Sequence, residues 1–363
     1  MRKSSRLLTA VGLVVFSVTV ADVLLAQIAK RIIPEWREKA THAEYRVRNP
    51  VYHHGLSPNI ASTSVHGEYK ARYFTNSLSF RDEKPRNVDL DRSTKRIVVI
   101  GDSFTEGANL NFEDTYVGKI SEVFRVDGYE VLNAAVGSYA PSIYYTKIKQ
   151  LIEVRGLKIS EVVVFLDLSD IWDEAKCYYL NSDEIVKNRC NKEIRTSKKI
   201  KITLAQYSLI YHTYRALKDR YKEESRRKVG HFEAVTNWDR ARWTVDPKLK
   251  ESIGVPGLKQ ARARMNDLRD LLKKHKVNLT VAVYPWPDQI AAEDKDSVQV
   301  RYWRKWASEK DVKFVNLFPP FFRRDKREVI DTYFAKFDFH YNMKGHALIA
   351  ETFLNKWTPK ISR

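Results

Sequence analysis

Residues far apart in this chain could together do acyl chemistry. Ser103 stands where four apolar, β-prone residues, Ile97 to Ile100, run into Gly101-Asp102-Ser103. A short apolar run stopped by glycine predicts a buried strand ending in a tight turn. That puts a hydroxyl at the carboxyl end of a strand, where open α/β sheets keep their sites. A serine hydroxyl is a poor nucleophile until a neighbouring base takes its proton. His340 is the candidate base. Asp338 is the candidate acid that would fix the imidazole tautomer and stabilise the imidazolium.

These residues need elements to hold them, and the sequence from Arg96 alternates strand and helix. Strands are predicted at Ile97–Ile100, Tyr129–Leu132, Glu161–Leu166, Asn278–Tyr284 and Lys313–Leu317. Helices are predicted at Glu113–Phe124, Pro141–Val154, Ala261–Lys274 and Asn342–Trp357. Acids in a first turn, a proline start and a glycine stop mark their ends. This alternation implies a parallel sheet covered on both faces. Residues 171–256 interrupt it as a basic insertion with a helix at Leu204–Tyr221. Such an insertion reads either as a lid over the site or as a solvated surface helix. Residues 29–94 form a preamble without a helical period. Its aromatics Tyr73, Phe74 and Phe80 imply that it packs on the body.

The chain has 363 residues, 43% of them hydrophobic and 12% aromatic, and a formal net charge of +19. From Asn191 to Lys276 there are 23 Lys and Arg against 10 Asp and Glu, so most of the excess lies between the two candidate catalytic stretches. This balance attracts anions, whether nucleic acid, anionic bilayer or acidic glycan. No nucleic-acid-binding module accompanies it, so a nucleic-acid partner is not expected.

Residues 1–6 are a basic leader, and Leu7–Ile28 is apolar apart from small polar residues, Asp22 and Gln27. At about 1.5 Å per residue this stretch spans roughly 30 Å, the thickness of a bilayer core. It predicts an uncleaved signal anchor with a cytoplasmic N-terminus and an extracytoplasmic body. Asp22 faces water, a partner helix or simply the interface. Cys177 and Cys190 lie in one loop-like stretch. In an exported body they could form a disulfide, and otherwise they are free thiols. No metal-ligand spacing and no cofactor motif is present, and the pair His53-His54 reads as surface residues.

The Gly101-Asp102-Ser103 turn, with Asp338, His340, Asn342, Gly345 and His346 before a closing helix, resembles the first and last blocks of the SGNH (GDSL-type) hydrolases. The Asp-x-His spacing is similar to that of membrane-anchored, polysaccharide-modifying members, whereas many others have Asp-x-x-His, a position held here by Phe337. The resemblance implies a three-layer α/β sandwich with a mainly parallel, flavodoxin-like central sheet. It also implies an oxyanion hole from the backbone N–H groups of Ser103 and Gly137. The third donor of the family is an asparagine amide, and Ser169 stands in its place.

The expected function is therefore a serine esterase acting on O-acyl, chiefly O-acetyl, groups of an extracytoplasmic glycan through an acyl-Ser103 intermediate. An O-acyltransferase using the same residues, or a non-catalytic glycan-binding module, are the alternatives. The expected partner is an esterified, anionic polysaccharide at a bacterial cytoplasmic membrane, facing the periplasm. Trp286, Trp303 and Trp306 are candidate sugar-stacking residues.

Overall fold

The computed structural model describes residues 2–33, 45–66, 69–91, 95–190, 204 and 207–359. Expectations for residues 34–44 of the preamble and 191–203 of the insertion lie outside the described residues. The chain forms two compact units, residues 44–190 with 229–363, and residues 1–43 with 191–228.

The larger unit is built on an eight-stranded sheet. Its strands are β1 (Ala61–His66), β2 (Tyr69–Thr75), β3 (Arg81–Asp82), β4 (Arg96–Ile100) and β5 (Glu130–Asn133). Then follow β6 (Glu161–Leu166), β7 (Asn278–Val283) and β8 (Lys313–Asn316). The order across the sheet is β8-β7-β6-β4-β5-β3-β2-β1. The strands from β8 to β5 are parallel. Numbered within that parallel core, the order is 2-1-3-4-5, the flavodoxin-like arrangement. Every residue of β4 and of β6 is buried, so both faces of the sheet are covered, as the near-continuous apolar runs require.

The five strands read from the sequence are all present. The preamble does more than pack on the body. It supplies β1–β3, which extend the sheet by antiparallel pairing, with Arg81 of β3 opposite Asn133 of β5. Arg46–Asn49 and His53–Leu56 form a separate antiparallel ribbon.

Two groups of helices pack on this sheet. Tyr116–Val126 meets Met343–Leu354, and Val255–Lys274 meets Pro141–Lys149 and Leu168–Lys176. Trp303, Trp306 and Trp357 are fully buried. Trp303 and Trp306 are therefore core residues and are not available to a sugar.

Part of the insertion belongs to this body. Strands Tyr178–Leu180 and Val186–Asn188 form a hairpin, and Cys177 is bonded to Cys190 across 13 residues. Of the two readings left open for these cysteines, the structure has the disulfide.

The smaller unit holds the helices Arg2–Ile32 and Leu209–Val229. Within the first, Thr9–Ile32 contains an 18-residue window of mean hydropathy 2.2 and is long and apolar enough to cross a membrane. Asp22 is engaged with a partner helix, since its Oδ1 accepts the N–H of Ile210 at 2.9 Å.

Candidate active site

The turn after β4 is dictated at two positions. A Cβ on Gly101 would come within 2.1 Å of Thr105 Oγ1 and 3.0 Å of the Phe165 carbonyl, so only glycine fits. Asp102 then caps a four-residue helix, Ser103–Glu106, by accepting the Phe104 N–H at 2.9 Å. Gly107 closes it at φ 62°. Ser103 is thereby held at the carboxyl end of β4. Here β5 lies on one side and β6 on the other, at the point where the strand order reverses.

The other two residues come from the loop between helices Lys326–Tyr333 and Met343–Leu354. A bridge between Phe334 and Tyr341 pinches this loop, and Ala335 exchanges backbone bonds with Asp338 and His340. Within it Asp338 Oδ1 accepts the His340 N–H at 2.9 Å and faces His340 Nδ1 at 2.6 Å. His340 Nε2 lies 2.8 Å from Ser103 Oγ. Assigned from this network, Nδ1 carries the proton and Nε2 accepts the serine hydroxyl. The Asp-x-His spacing pairs because the loop is a turn rather than a strand, so side-chain alternation does not apply. Phe337, where many of the proteins that the motif resembles have the acid, sits at φ 57° and accepts no catalytic role; its N–H donates to His231.

Gly137 follows β5 and reaches the same place. The point from which a side chain on Gly137 would start lies 3.5 Å from Ser103 Cβ and 3.8 Å from Arg46 Nη1. Its N–H, however, is taken by Glu106 Oε2 at 2.6 Å. Glu106 is fully buried and also accepts from Tyr73 at 2.6 Å and from Arg46 at 2.8 Å. Burial pushes this carboxyl up, but Arg46, Tyr73 and the Gly137 N–H outweigh it and hold Glu106 below its ordinary range. Next to Gly137, Ser138 is exposed at φ 63°, an uncommon conformation for a residue with a side chain. His54 donates toward the Gly137 carbonyl at 2.9 Å, and His53 backs His54 at 2.8 Å. Burial holds His54 down at about 4, so it is neutral. The histidine pair thus supports the Gly137 loop.

Ser169 caps no group. Its N–H bonds Asp167 Oδ1 at 2.6 Å, and its hydroxyl has no partner among the described residues. Behind the serine turn lie three buried carboxyls, Asp102, Asp167 and Asp170, with oxygens within 4.8 Å of one another. Tyr284 bridges Asp102 (3.1 Å) and Asp167 (2.8 Å), while Trp286 and Tyr144 bond Asp167 and Asp170. Burial, then the neighbouring Asp167, push Asp102 and Asp170 well above the usual carboxylate range. Asp102 Oδ2 is a second acceptor for the Ser103 hydroxyl at 3.2 Å, longer than the 2.8 Å to His340 Nε2.

The mouth is aromatic. Phe104 packs under His340, and Phe339 stacks on Trp286 at 4.7 Å. Trp286 itself is 3% exposed and is committed to the core. Trp238, from the insertion, packs edge-on against Phe339 at 5.2 Å and remains 38% exposed. Sequence reasoning missed Trp238, Glu106 and Arg46. Arg46 and Trp238 are remote from the serine in sequence, and Glu106, three residues after it, shows its role only through its contacts with Gly137, Tyr73 and Arg46.

No family model matches the chain, and no curated protein matches it. It is similar to GDSL-type hydrolases of known structure. A GDSL-like lipase from Bacteroides thetaiotaomicron is 12% identical at a TM-score of 0.38, over 72% of this chain and 86% of that one. An acetylxylan esterase from Geobacillus stearothermophilus is 13% identical at 0.39, over 76% and 100%. A psychrotrophic esterase from Pseudoalteromonas is 10% identical at 0.38, over 72% and 96%.

Proposed function

We propose that this protein is an SGNH-type serine esterase that removes O-acyl, chiefly O-acetyl, groups from a glycan. The observation that carries the reading is the continuous chain Asp338–His340–Ser103, at 2.6 and 2.8 Å, set at the carboxyl end of β4. In the first half-reaction Ser103 Oγ attacks the ester carbonyl and gives its proton to His340 Nε2. Asp338 stabilises the imidazolium. The tetrahedral intermediate collapses, the C–O bond to the sugar breaks, and His340 returns the proton to the leaving sugar oxygen. Water then attacks acyl-Ser103 with His340 again as base, releasing the carboxylic acid and Ser103.

The oxyanion needs donors, each worth roughly 3 kcal/mol of barrier. The Ser103 N–H and the unpartnered Ser169 hydroxyl are the candidates as the site stands. The Gly137 N–H joins them only when Glu106 releases it. Exposed Trp238 beside Phe339 offers a face for a sugar ring. The net charge of +19 suits an anionic polysaccharide. The disulfide and the apolar N-terminal helix suit a periplasmic body anchored in the cytoplasmic membrane of a bacterium.

The same acyl-enzyme passed to a sugar hydroxyl would make the protein an O-acyltransferase. Incubation of the full chain with acetylated polysaccharide, with and without an unacetylated acceptor, decides between the two. Free acetate in both cases supports the esterase. Acetate appearing on the acceptor with none released to water replaces it by the transferase. No turnover of either kind removes the enzymatic reading.

A further inference from the structure

We propose that the helix Leu209–Val229 lies in the plane of an anionic membrane surface, beside the span formed by Thr9–Ile32. The proposal rests on the reading of that first helix as a membrane anchor.

The helix has an apolar stripe that is largely exposed among the described residues. At 100° per residue, Ile210, Tyr214, Leu217 and Tyr221 fall within about 60° of arc. They are 62%, 55%, 62% and 72% exposed. Water is a costly neighbour for four large side chains in a row, and a stripe this narrow is suited to dipping into a bilayer boundary. Two of the four are tyrosines, which favour the headgroup level because one end is apolar and the other polar.

The helix also carries an excess of the complementary charge. Between Leu209 and Lys228 there are seven basic residues (Arg215, Lys218, Arg220, Lys222, Arg226, Arg227, Lys228) against three acidic ones (Asp219, Glu223, Glu224). A basic helix with an apolar stripe fits a surface of anionic lipid headgroups.

What places the helix at a membrane is its attachment. Asp22, inside the apolar stretch, accepts the Ile210 N–H at 2.9 Å and so caps the helix start. A carboxylate in such a stretch needs a partner, and a helix N-terminus supplies one. Near the outer end of the same stretch, Lys30 Nζ lies 4.8 Å from the Tyr207 ring. The second helix therefore begins against the outer half of the span, between the levels of Asp22 and Lys30.

The test uses the full chain in vesicles of phosphatidylglycerol and phosphatidylcholine. Both native cysteines are joined in the disulfide, so introduced cysteines can be spin-labelled selectively. Labels at Phe16→Cys, Leu217→Cys and Asp219→Cys report the span, the stripe and the opposite face. Paramagnetic accessibility is then read with oxygen and with a water-soluble nickel chelate. The expected oxygen-to-nickel ratio at position 217 is several-fold higher than at 219 and shifts toward the water value in vesicles of phosphatidylcholine alone. A lipid value at 16 with a water value at 217 overturns the surface helix while leaving the anchor intact. A water value at 16 instead overturns the anchor, and the surface helix with it. A ratio at 217 that is the same in both vesicle types overturns the role of the basic residues.

Discussion

Nε2 of His340 lies 2.8 Å from Oγ of Ser103, although 237 residues separate them in the chain. Neither residue is placed by the other. Ser103 is fixed by the turn after β4 and His340 by the pinched loop before the closing helix, so each can be removed without disturbing its partner's backbone. Ser103→Ala and His340→Ala should each lower kcat for an aryl acetate by about 10⁴-fold or more, and the double variant should lose little beyond either single one. Circular dichroism should stay unchanged. Losses that multiply in the double variant would mean the two do not act as a unit.

Glu106 organises the Gly137 loop, and its replacement should be felt at neutral pH. Glu106→Ala leaves Arg46 and Tyr73 without their shared acceptor, a cost of about 1–3 kcal/mol. Glu106 is held below its ordinary value of 4.5. A depressed carboxyl contributes stability that is present above that ordinary value and is lost as pH falls through the folded one. The gap in Tm between the native chain and Glu106→Gln should therefore be open at pH 7 and narrow on acidification below about 4.5. A gap that does not change with pH would show that the charge of Glu106 is irrelevant.

Asp102 behaves in the opposite sense. Burial and Asp167 push it well above its ordinary 3.8. A raised carboxyl costs stability as pH rises from the unfolded value toward the folded one, because the unfolded chain gives up the proton first. Asp102→Asn keeps an acceptor for the Phe104 N–H and removes that cost. Its Tm should equal or exceed that of the native chain at pH 7 to 8, whereas Asp102→Ala should lose about 1 kcal/mol with the cap. Equal losses in both variants would contradict an upward shift of Asp102.

Much of this arrangement was legible in the sequence, for a physical reason. Buried parallel strands have unbroken apolar runs, and Ile97–Ile100 and Glu161–Leu166 are such runs, so the core sheet and its order of use could be read. Antiparallel β1 and β2 are half-buried and rich in Ser, Thr, His and Lys, and their alternation was lost against a polar background. Ser103, Asp338 and His340 stood out because turn glycines and loop spacing mark them. Glu106, Arg46 and Trp238 did not, because their roles come from contacts between distant parts of the chain, 31 residues apart for Glu106 and Gly137 and 60 for Arg46 and Glu106. Gly137 was read as an open donor, and the structure gives its N–H to Glu106.

Trp238 separates recognition from chemistry. Trp238→Ala should leave kcat/KM for a small aryl acetate within about twofold while lowering it for an acetylated oligosaccharide by about tenfold, the worth of one aromatic contact. Equal effects on both substrates would assign Trp238 to the structure of the mouth instead of to sugar binding.

The central claim is that Ser103 carries the acyl group. The most direct measurement is intact-mass and peptide mass spectrometry of the full chain after a serine-directed phosphonate, alongside Ser103→Ala and His340→Ala. A single adduct mapping to Ser103, absent from Ser103→Ala and strongly slowed in His340→Ala, is the predicted result. No adduct on the native chain, or an adduct on another residue, would contradict it.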